Sequence, residues 1–431
     1  MSSLTLPGVK GARHALARRP GPNATKPLQV AGRRDYARVS KHVHMKITGF
    51  ETLLANAGLR NYLFVRLRTD TGLTGVGEAT LEWQEKTVET LLHEWVEERV
   101  LGRDPFEIEA LVGEMVRDQY QGGSTVMTAI SGVEIALWDL VGKACGQPVY
   151  NLLGGRCRET IPAYANGWYG GARTPAEYAE RARAAVARGY RALKFDPFGI
   201  AWKDLSAAEH REAVDRVAAV REAVGPRVEL MIEFHGRLSA GSAVEAIRVL
   251  EPYRPAWCEE PVAPECLDLL AEVKRSVRAP IAAGERLYTL ADFHRLIALR
   301  AADVVQMDPA HCGGLLAAKK ISAMAAVQDL RIAPHCSIGP VALAACLHLG
   351  ASTPNFLIQE AFSEFDIPWR KSLVSGWNPL RTGEFVLPTG PGLGLELDEA
   401  AVRAHPYVRN PFPSLWDRGW LEGFTQSGWG D

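Results

Sequence analysis

The runs VELMIE (228–233), AWCEE (256–260) and PIAAGE (280–285) decide the fold. Each is a short, almost continuously apolar stretch that ends in acid, and Glu233, Glu259 and Glu285 follow one another at intervals of 26 residues. An apolar run of this length reads as a strand buried on both faces, the usual state in a parallel sheet. Parallel neighbours need a long crossover, normally a helix, and the repeat leaves room for one. Outward from these three, IPAYAN (161–166), ALKFD (192–196), ADVVQMD (302–308), RIAPH (331–335) and FLIQE (356–360) have the same texture. The intervals between them carry helix signals. Thr174-Pro-Ala-Glu177 is a capping box with proline at the first helical position, and Gly189 is a suitable left-handed stop. Ser242…Glu245 and Thr289…Asp292 repeat the box. Eight similar strand–helix units favour an α/β chain closed into a barrel over a doubly wound open sheet.

Upstream the pattern differs. RNYLFVRL (60–67) and TGLTGVGEAT (71–80) read as a hairpin turning at Asp70-Thr71-Gly72. Helices are expected at 86–100, 106–119 and 127–144, the last carrying Ile130, Val133, Ile135, Ala136, Trp138 and Leu140. This α+β unit presents no obvious reactive cluster. Residues 1–44 hold nine Lys or Arg against the single acid Asp35, with Pro7, Pro20, Pro22 and Pro27 and no apolar periodicity. A disordered extension is expected there, with Met45 opening the folded part. Near the other end, GPGLGLELD (390–398) lacks the strand before and helix after that a dinucleotide loop requires, so it reads as a turn.

The 431 residues are 47% hydrophobic and 23% charged, ordinary globular usage that excludes a disordered, collagen-like or coiled-coil chain. No apolar run reaches the ~18 residues of a membrane span, so no membrane partner is expected. A net charge of −1 gives no footprint for nucleic acid. Seven cysteines without a CxxC pair read as reduced, buried thiols of a cytosolic protein. A cytoplasmic homo-oligomer acting on a small molecule is the accompanying expectation.

Polar residues fall where the strands end: Lys194 and Asp196, Glu233 and His235, Glu259 and Glu260, Glu285, Asp308, His335 and Glu360. In a barrel all of these lie at the C-terminal rim and face one pocket. One alone would be a capping acid or a rim ion pair; seven strands in succession point to a site. Three carboxylates from successive strands cannot sit together ionised without a cation. Oxygen-only ligands suit a hard divalent ion, Mg²⁺ above all, and no Cys or His is placed to complete a zinc set. Asp308 from the neighbouring strand can hold the His335 imidazole in one tautomer, as a general base requires. His235, two residues beyond Glu233, adds a second titratable ring.

These segments, together with GGSTVMTAISGVEIALWDLVGK (122–143), YNLLGG (150–155), EFHGR (233–237), CEEPV (258–262), AGERL (283–287), QMDPAHCGGL (306–315), APHCSIGP (333–340) and IQE (358–360), resemble the enolase superfamily. The resemblance spans about 45–400 and lies in the mandelate racemase-like branch, closest to sugar-acid dehydratases of galactonate type. It implies a modified (β/α)7β barrel (161–370) under an α+β capping domain (45–160) that a C-terminal segment (371–431) completes. It implies Mg²⁺ on Glu233, Glu259 and Glu285, with His335 and Asp308 removing the proton α to a carboxylate. It further implies that His235 protonates the leaving hydroxyl, that Lys194, with Asp196 beside it, binds the substrate carboxylate, and that Glu360 bonds the enolate oxygen. The expected reaction is dehydration of an aldonate to a 2-keto-3-deoxy acid. Epimerisation or racemisation of a hydroxy acid, and a non-catalytic sugar-acid-binding relative, are the alternatives. Three departures stand out: Glu233 where such relatives usually have Asp, Lys-x-Asp (194–196) in place of the racemases' Lys-x-Lys, and loops 81–84 and 117–125 without a familiar substrate signature.

Overall fold

Strands β1 (Ile47–Ala57), β2 (Arg60–Thr69) and β3 (Thr74–Glu78) form an antiparallel sheet, with the expected hairpin between β2 and β3. The computed structural model describes residues 45–410 apart from 59, 363–366 and 377–379. The basic extension 1–44 and the end of the C-terminal segment, 411–431, lie outside the described residues. Period-two alternation in β2 serves two cores at once. Leu63, Val65 and Leu67 pack with the capping helices, while Tyr62 and Phe64 join the main core. The helix Ser124–Cys145 closes the capping layer. It is long and apolar enough to cross a membrane, yet 83% of its apolar window is buried inside the protein. Residues after the barrel return to this layer: Asn56 N–H donates to His405 O, and the Trp369 indole donates to Asn56 O.

The eight expected strands are all present: β4 (Thr160–Ala165), β5 (Ala192–Phe195), β6 (Glu229–Glu233), β7 (Pro255–Glu259), β8 (Ile281–Ala283), β9 (Val304–Val305), β10 (Arg331–Ile332) and β11 (Gln359–Ala361). From β4 to β10 each is parallel to the next, and β11 is parallel to β4. The circle closes just before β11, where Ile332 forms a parallel bridge with Phe356 and accepts the Leu357 N–H at 2.8 Å. Side-chain alternation gives the same answer. Tyr164, Ala192, Met231, Trp257, Ala282 and Val304, one from each of the strands β4 to β9, form a separate inner cluster with Ala333, just past β10. Their neighbours Leu193, Leu230, Ile232, Cys258, Ile281 and Val305 belong to the outer core with the helices. A filled interior layer of this kind is the floor on which a barrel site sits.

Helix starts follow the sequence signals with one shift. Thr174–Glu177 and Thr289–Asp292 make full capping boxes, and Ser206–Glu209 makes a third. Ser242, however, is not a cap. The helix Ala240–Leu250 begins three residues earlier, and Ser239, in extended backbone, accepts the Ser242 N–H. Burial of the thiols is only partly as expected: Cys145 and Cys157 are exposed, because they fall at a helix end and in a surface loop.

Three buried carboxylates of the capping domain tie it to later parts of the chain, two to the barrel and one to the C-terminal segment. Glu78 accepts N–H groups from Gly339 (2.6 Å), Val341 (3.1 Å) and Ala342 (2.9 Å), at the start of the helix Pro340–Ser352. Glu134 accepts those of Leu315 and Leu316 (both 2.8 Å), at the start of the helix Gly314–Val327. Asp139 accepts from Val76 and Leu393 and pairs with Lys143. Helix N-termini present free donors and partial positive charge, so distant acids serve as their caps. Only glycine admits them: a Cβ at Gly314 would lie 2.0 Å from Glu134 Oε2, and one at Gly339 2.3 Å from Glu78 Oε1. Those two helices follow Asp308 and His335, so the capping domain fixes the segments that carry them.

Candidate active site

The parallel register pairs Glu233 at the end of β6 with Glu259 at the end of β7, and Glu285 follows β8 by two residues. One carboxylate oxygen from each lies within 4.8 Å of the others. Burial pushes all three up to about 7, and the neighbouring acids add to the rise. Glu259 is held by the Trp257 indole (2.9 Å) and the Gln306 amide (2.7 Å). Glu233 Oε2, by contrast, is buried without a hydrogen bond, its nearest positive group being the Lys194 ammonium at 3.3 Å. A buried carboxylate oxygen left unmatched beside two more acids is what a hard cation neutralises. The donor set therefore fits a divalent ion.

Lys194 stands among the acids, 2.6 Å from Glu259, 3.1 Å from Glu360 and 3.3 Å from Glu233. Burial alone would favour its neutral amine, but Glu259 and Glu360 hold it charged, well above the ordinary lysine range. Glu360 receives the Asn166 amide at 2.7 Å and the Cys336 N–H at 2.8 Å. Burial opposes its charge, yet Lys194 and His335 outweigh that and bring it down to about 2. In that state it accepts hydrogen bonds and does not donate them.

His335 Nδ1 lies 2.8 Å from Asp308 Oδ2. A carboxylate accepts only, so Nδ1 carries a proton and Nε2 is left for chemistry. Nε2 is 3.7 Å from Glu285 and 3.8 Å from Glu360. Burial would keep the ring neutral, but Glu285, Glu360 and Asp308 raise it well above the usual imidazole range. Asp308 also accepts the Ala310 N–H at 2.8 Å, which fixes its own rotamer.

His235 adopts a left-handed backbone (φ 50°), rare for a residue with a side chain, and its N–H donates to Glu233 Oε1 at 2.7 Å. Its Nδ1 lies 2.8 Å from Asp196 Oδ2. Asp196 also accepts from the buried Arg237 guanidinium and from the Phe198 N–H at 2.9 Å. The expectation that Asp196 meets the substrate thus encounters a carboxylate already occupied by His235, Arg237 and its own turn. Asn166, Gln306, Trp257 and Arg237 were not singled out as site residues. Trp257 lies on β7 and the others just past β4, β9 and β6; Arg237 within EFHGR and Gln306 at the head of QMDPAHCGGL carried the motif signal that could have found them. Loop 81–84 does reach the site: Glu82 accepts from Arg60 (2.6 Å) and from the Ser337 hydroxyl (2.9 Å), two residues beyond His335.

The chain matches two family descriptions: "Mandelate racemase / muconate lactonizing enzyme, N-terminal domain" over residues 37–154 and "Enolase C-terminal domain-like" over residues 177–401. Among characterised relatives it is similar to a D-galactonate dehydratase of Ralstonia pickettii, 38% identical over 81% of this chain and 93% of that one. It is also similar to a D-gluconate dehydratase of Thermoproteus tenax, 37% identical over 80% of this chain and 70% of that one. A solved mandelate racemase/muconate lactonizing enzyme from Jannaschia superposes with a TM-score of 0.79 at 34% identity, covering 85% of this chain and 99% of its own. With both halves matched, a closed barrel under an α+β cap and a carboxylate triad between two histidines, the chain belongs to the enolase superfamily, in its mandelate racemase branch.

Proposed function

We propose that the chain is a Mg²⁺-dependent dehydratase that converts an aldonate-type sugar acid, galactonate-like, into its 2-keto-3-deoxy acid and water. One observation carries this reading. In strand order the three clustered carboxylates of β6–β8 are flanked by two His–Asp pairs, His235–Asp196 on one side and His335–Asp308 on the other. An α-proton of a carboxylate is very weakly acidic, so its removal needs a base and a means of holding the negative charge that forms. Dehydration needs an acid for the leaving hydroxyl as well. The printed names of the relatives, D-galactonate and D-gluconate dehydratase, support the same substrate class.

Glu233, Glu259 and Glu285 would hold the ion. When bound, it supplies Lewis-acid stabilisation to the substrate carboxylate and cancels the Glu285 charge that otherwise keeps His335 protonated. His335 takes the C2 proton at Nε2 while Asp308 keeps the proton on Nδ1. Lys194, charged and central, faces the substrate carboxylate and the oxygen on which charge develops. His235, entering the step as imidazolium, gives its Nε2 proton to the C3 hydroxyl as the C3–O bond breaks and water leaves, and keeps its Nδ1 proton against Asp196. The resulting enol tautomerises to the 2-keto acid. Glu360, held as a carboxylate, balances Lys194 and His335.

The test is a screen of sugar acids, D-galactonate and D-gluconate included, for 2-keto acid with the chelated enzyme and after adding Mg²⁺ or Zn²⁺. Product is expected with Mg²⁺, less with Zn²⁺ and none after chelation; Glu259→Gln should also lower divalent-ion affinity in calorimetry. Full turnover after rigorous chelation would overturn the metal assignment. Exchange of the α-proton without keto product would make the enzyme an epimerase or racemase, and binding without either would make it a sugar-acid-binding relative.

A further inference from the structure

The two histidines are mounted in the same way. Asp308 follows β9, turns its Oδ1 back to the N–H two residues on (Ala310, 2.8 Å), and offers Oδ2 to His335 Nδ1 at 2.8 Å, beyond the next strand. Asp196 follows β5, turns its Oδ1 back to the N–H two residues on (Phe198, 2.9 Å), and offers Oδ2 to His235 Nδ1 at 2.8 Å, again beyond the next strand. An Asx turn locks each carboxylate before it meets its ring. Each carboxylate has a further basic neighbour: His311 Nδ1 lies 3.7 Å from Asp308 Oδ2, and the Arg237 guanidinium pairs with Asp196 Oδ2. Arg237 is fully buried; it holds Phe234 O (3.0 Å), Gly199 O (2.8 Å) and Asp196 Oδ2, and its Nη2 lies 3.3 Å from His235 Nδ1, farther than the carboxylate oxygen at 2.8 Å that accepts from that nitrogen.

From this repetition we infer that Asp196 is a positioning residue: it holds a proton on His235 Nδ1 and the ring in one orientation, so that the imidazolium releases its proton only from Nε2 and is left as the Nδ1–H tautomer. The substrate carboxylate is left to Lys194. The inference rests on the proposed dehydration, in which His235 serves the leaving hydroxyl and His335 the α-proton. A group that orients one ring must affect one half of the reaction. Loss of Asp196 frees the ring to take the other tautomer, the failure seen when a supporting carboxylate becomes an amide.

The experiment compares two rates in deuterium oxide for the same Mg²⁺-loaded enzyme, with D-galactonate as the probe or whichever sugar acid the unaltered enzyme dehydrates. In Asp196→Asn, 2-keto acid formation should fall by about 10²-fold or more, while deuterium exchange into the α-position stays within a few-fold of the unaltered enzyme. Equal loss of both rates, or unchanged dehydration, overturns the inference. Failure of the unaltered enzyme on every sugar acid would instead sink the dehydratase reading. Nitrogen-15 spectra of labelled histidine in the unaltered enzyme give a second measurement that does not depend on the variant folding. The His235 ring, identified by the signals lost in His235→Asn, should carry its proton on Nδ1, and a neutral ring protonated only on Nε2 overturns the inference.

Discussion

Buried carboxylates gather at two places in this chain, and their partners differ. At the seam where the cap meets the barrel and the C-terminal segment, Glu78, Glu134 and Asp139 are wholly buried, but each accepts two or more backbone N–H groups. In the pocket, Glu233, Glu259 and Glu285 face one another, with the single ammonium of Lys194 against two of them. Burial raises all six, Glu134 as far as about 7, like the pocket trio. The difference lies in what is left unmatched. Seam acids spend their lone pairs on donors that the fold itself provides. Pocket acids are assembled at a cost to stability, which marks a site meant for something else.

Substitutions break the comparison most sharply. Glu233→Gln should reduce turnover by about 10³-fold or more, because metal-assisted charge stabilisation is worth several kcal/mol. The same change should leave the melting temperature of the chelated protein equal or higher, since one of three mutually repelling acids is gone. At the seam the signs reverse. Glu78→Ala strands three backbone donors and the Thr80 hydroxyl, and should cost on the order of 3–5 kcal/mol in urea unfolding. A pocket variant that unfolds the protein, or a seam variant that does not, removes the distinction.

Acidity sharpens it further. The pocket carboxylates titrate at about 7 when folded against an ordinary 4.5, so the folded state holds extra protons between those values. Their contribution is fully present below 4.5 and is lost as pH rises through about 7. The chelated protein should therefore lose melting temperature over that range, and saturating Mg²⁺ should flatten the decline. A slope unchanged by Mg²⁺ would assign it to Glu134 and its neighbours at the seam. The smallest effect belongs to the seam's exposed pair, Glu109 with Lys320. Glu109→Gln should change stability by less than about 1 kcal/mol, as solvent-screened pairs do.

The pocket was legible because its grammar is local. An acid at the end of an apolar strand can be read within six residues, and the even spacing of Glu233, Glu259 and Glu285 supplies the rest. Even so, the later strands stop short of their polar residues: β10 ends at Ile332, three residues before His335. The seam was illegible. Glu78 and Glu134 sit in stretches read as ordinary strand and helix, and their main-chain partners lie 261 and 181 residues away at the nearest. Those partners are main-chain N–H groups, which every residue but proline carries, so no side-chain pattern announces them. The contact between Asp196 and His235 was illegible for a related reason. Lys-x-Asp suggested a pair acting together, but Lys194 lies within β5 among the carboxylates, while Asp196, past the strand's end, turns to meet His235.

The long reach of the seam sets an order of events during synthesis. The capping sheet and the helix Ser124–Cys145 leave the ribosome first, carrying Glu78, Glu134 and Asp139 toward an interior that does not yet exist. Their donors arrive only with Leu315, Leu316, Gly339, Val341, Ala342 and finally Leu393. Until then the acids stay solvated, and the first third of the chain cannot settle. The nascent protein is thus a late finisher: the buried acids of its cap meet their donors only when segments 181 to 264 residues further on have been made.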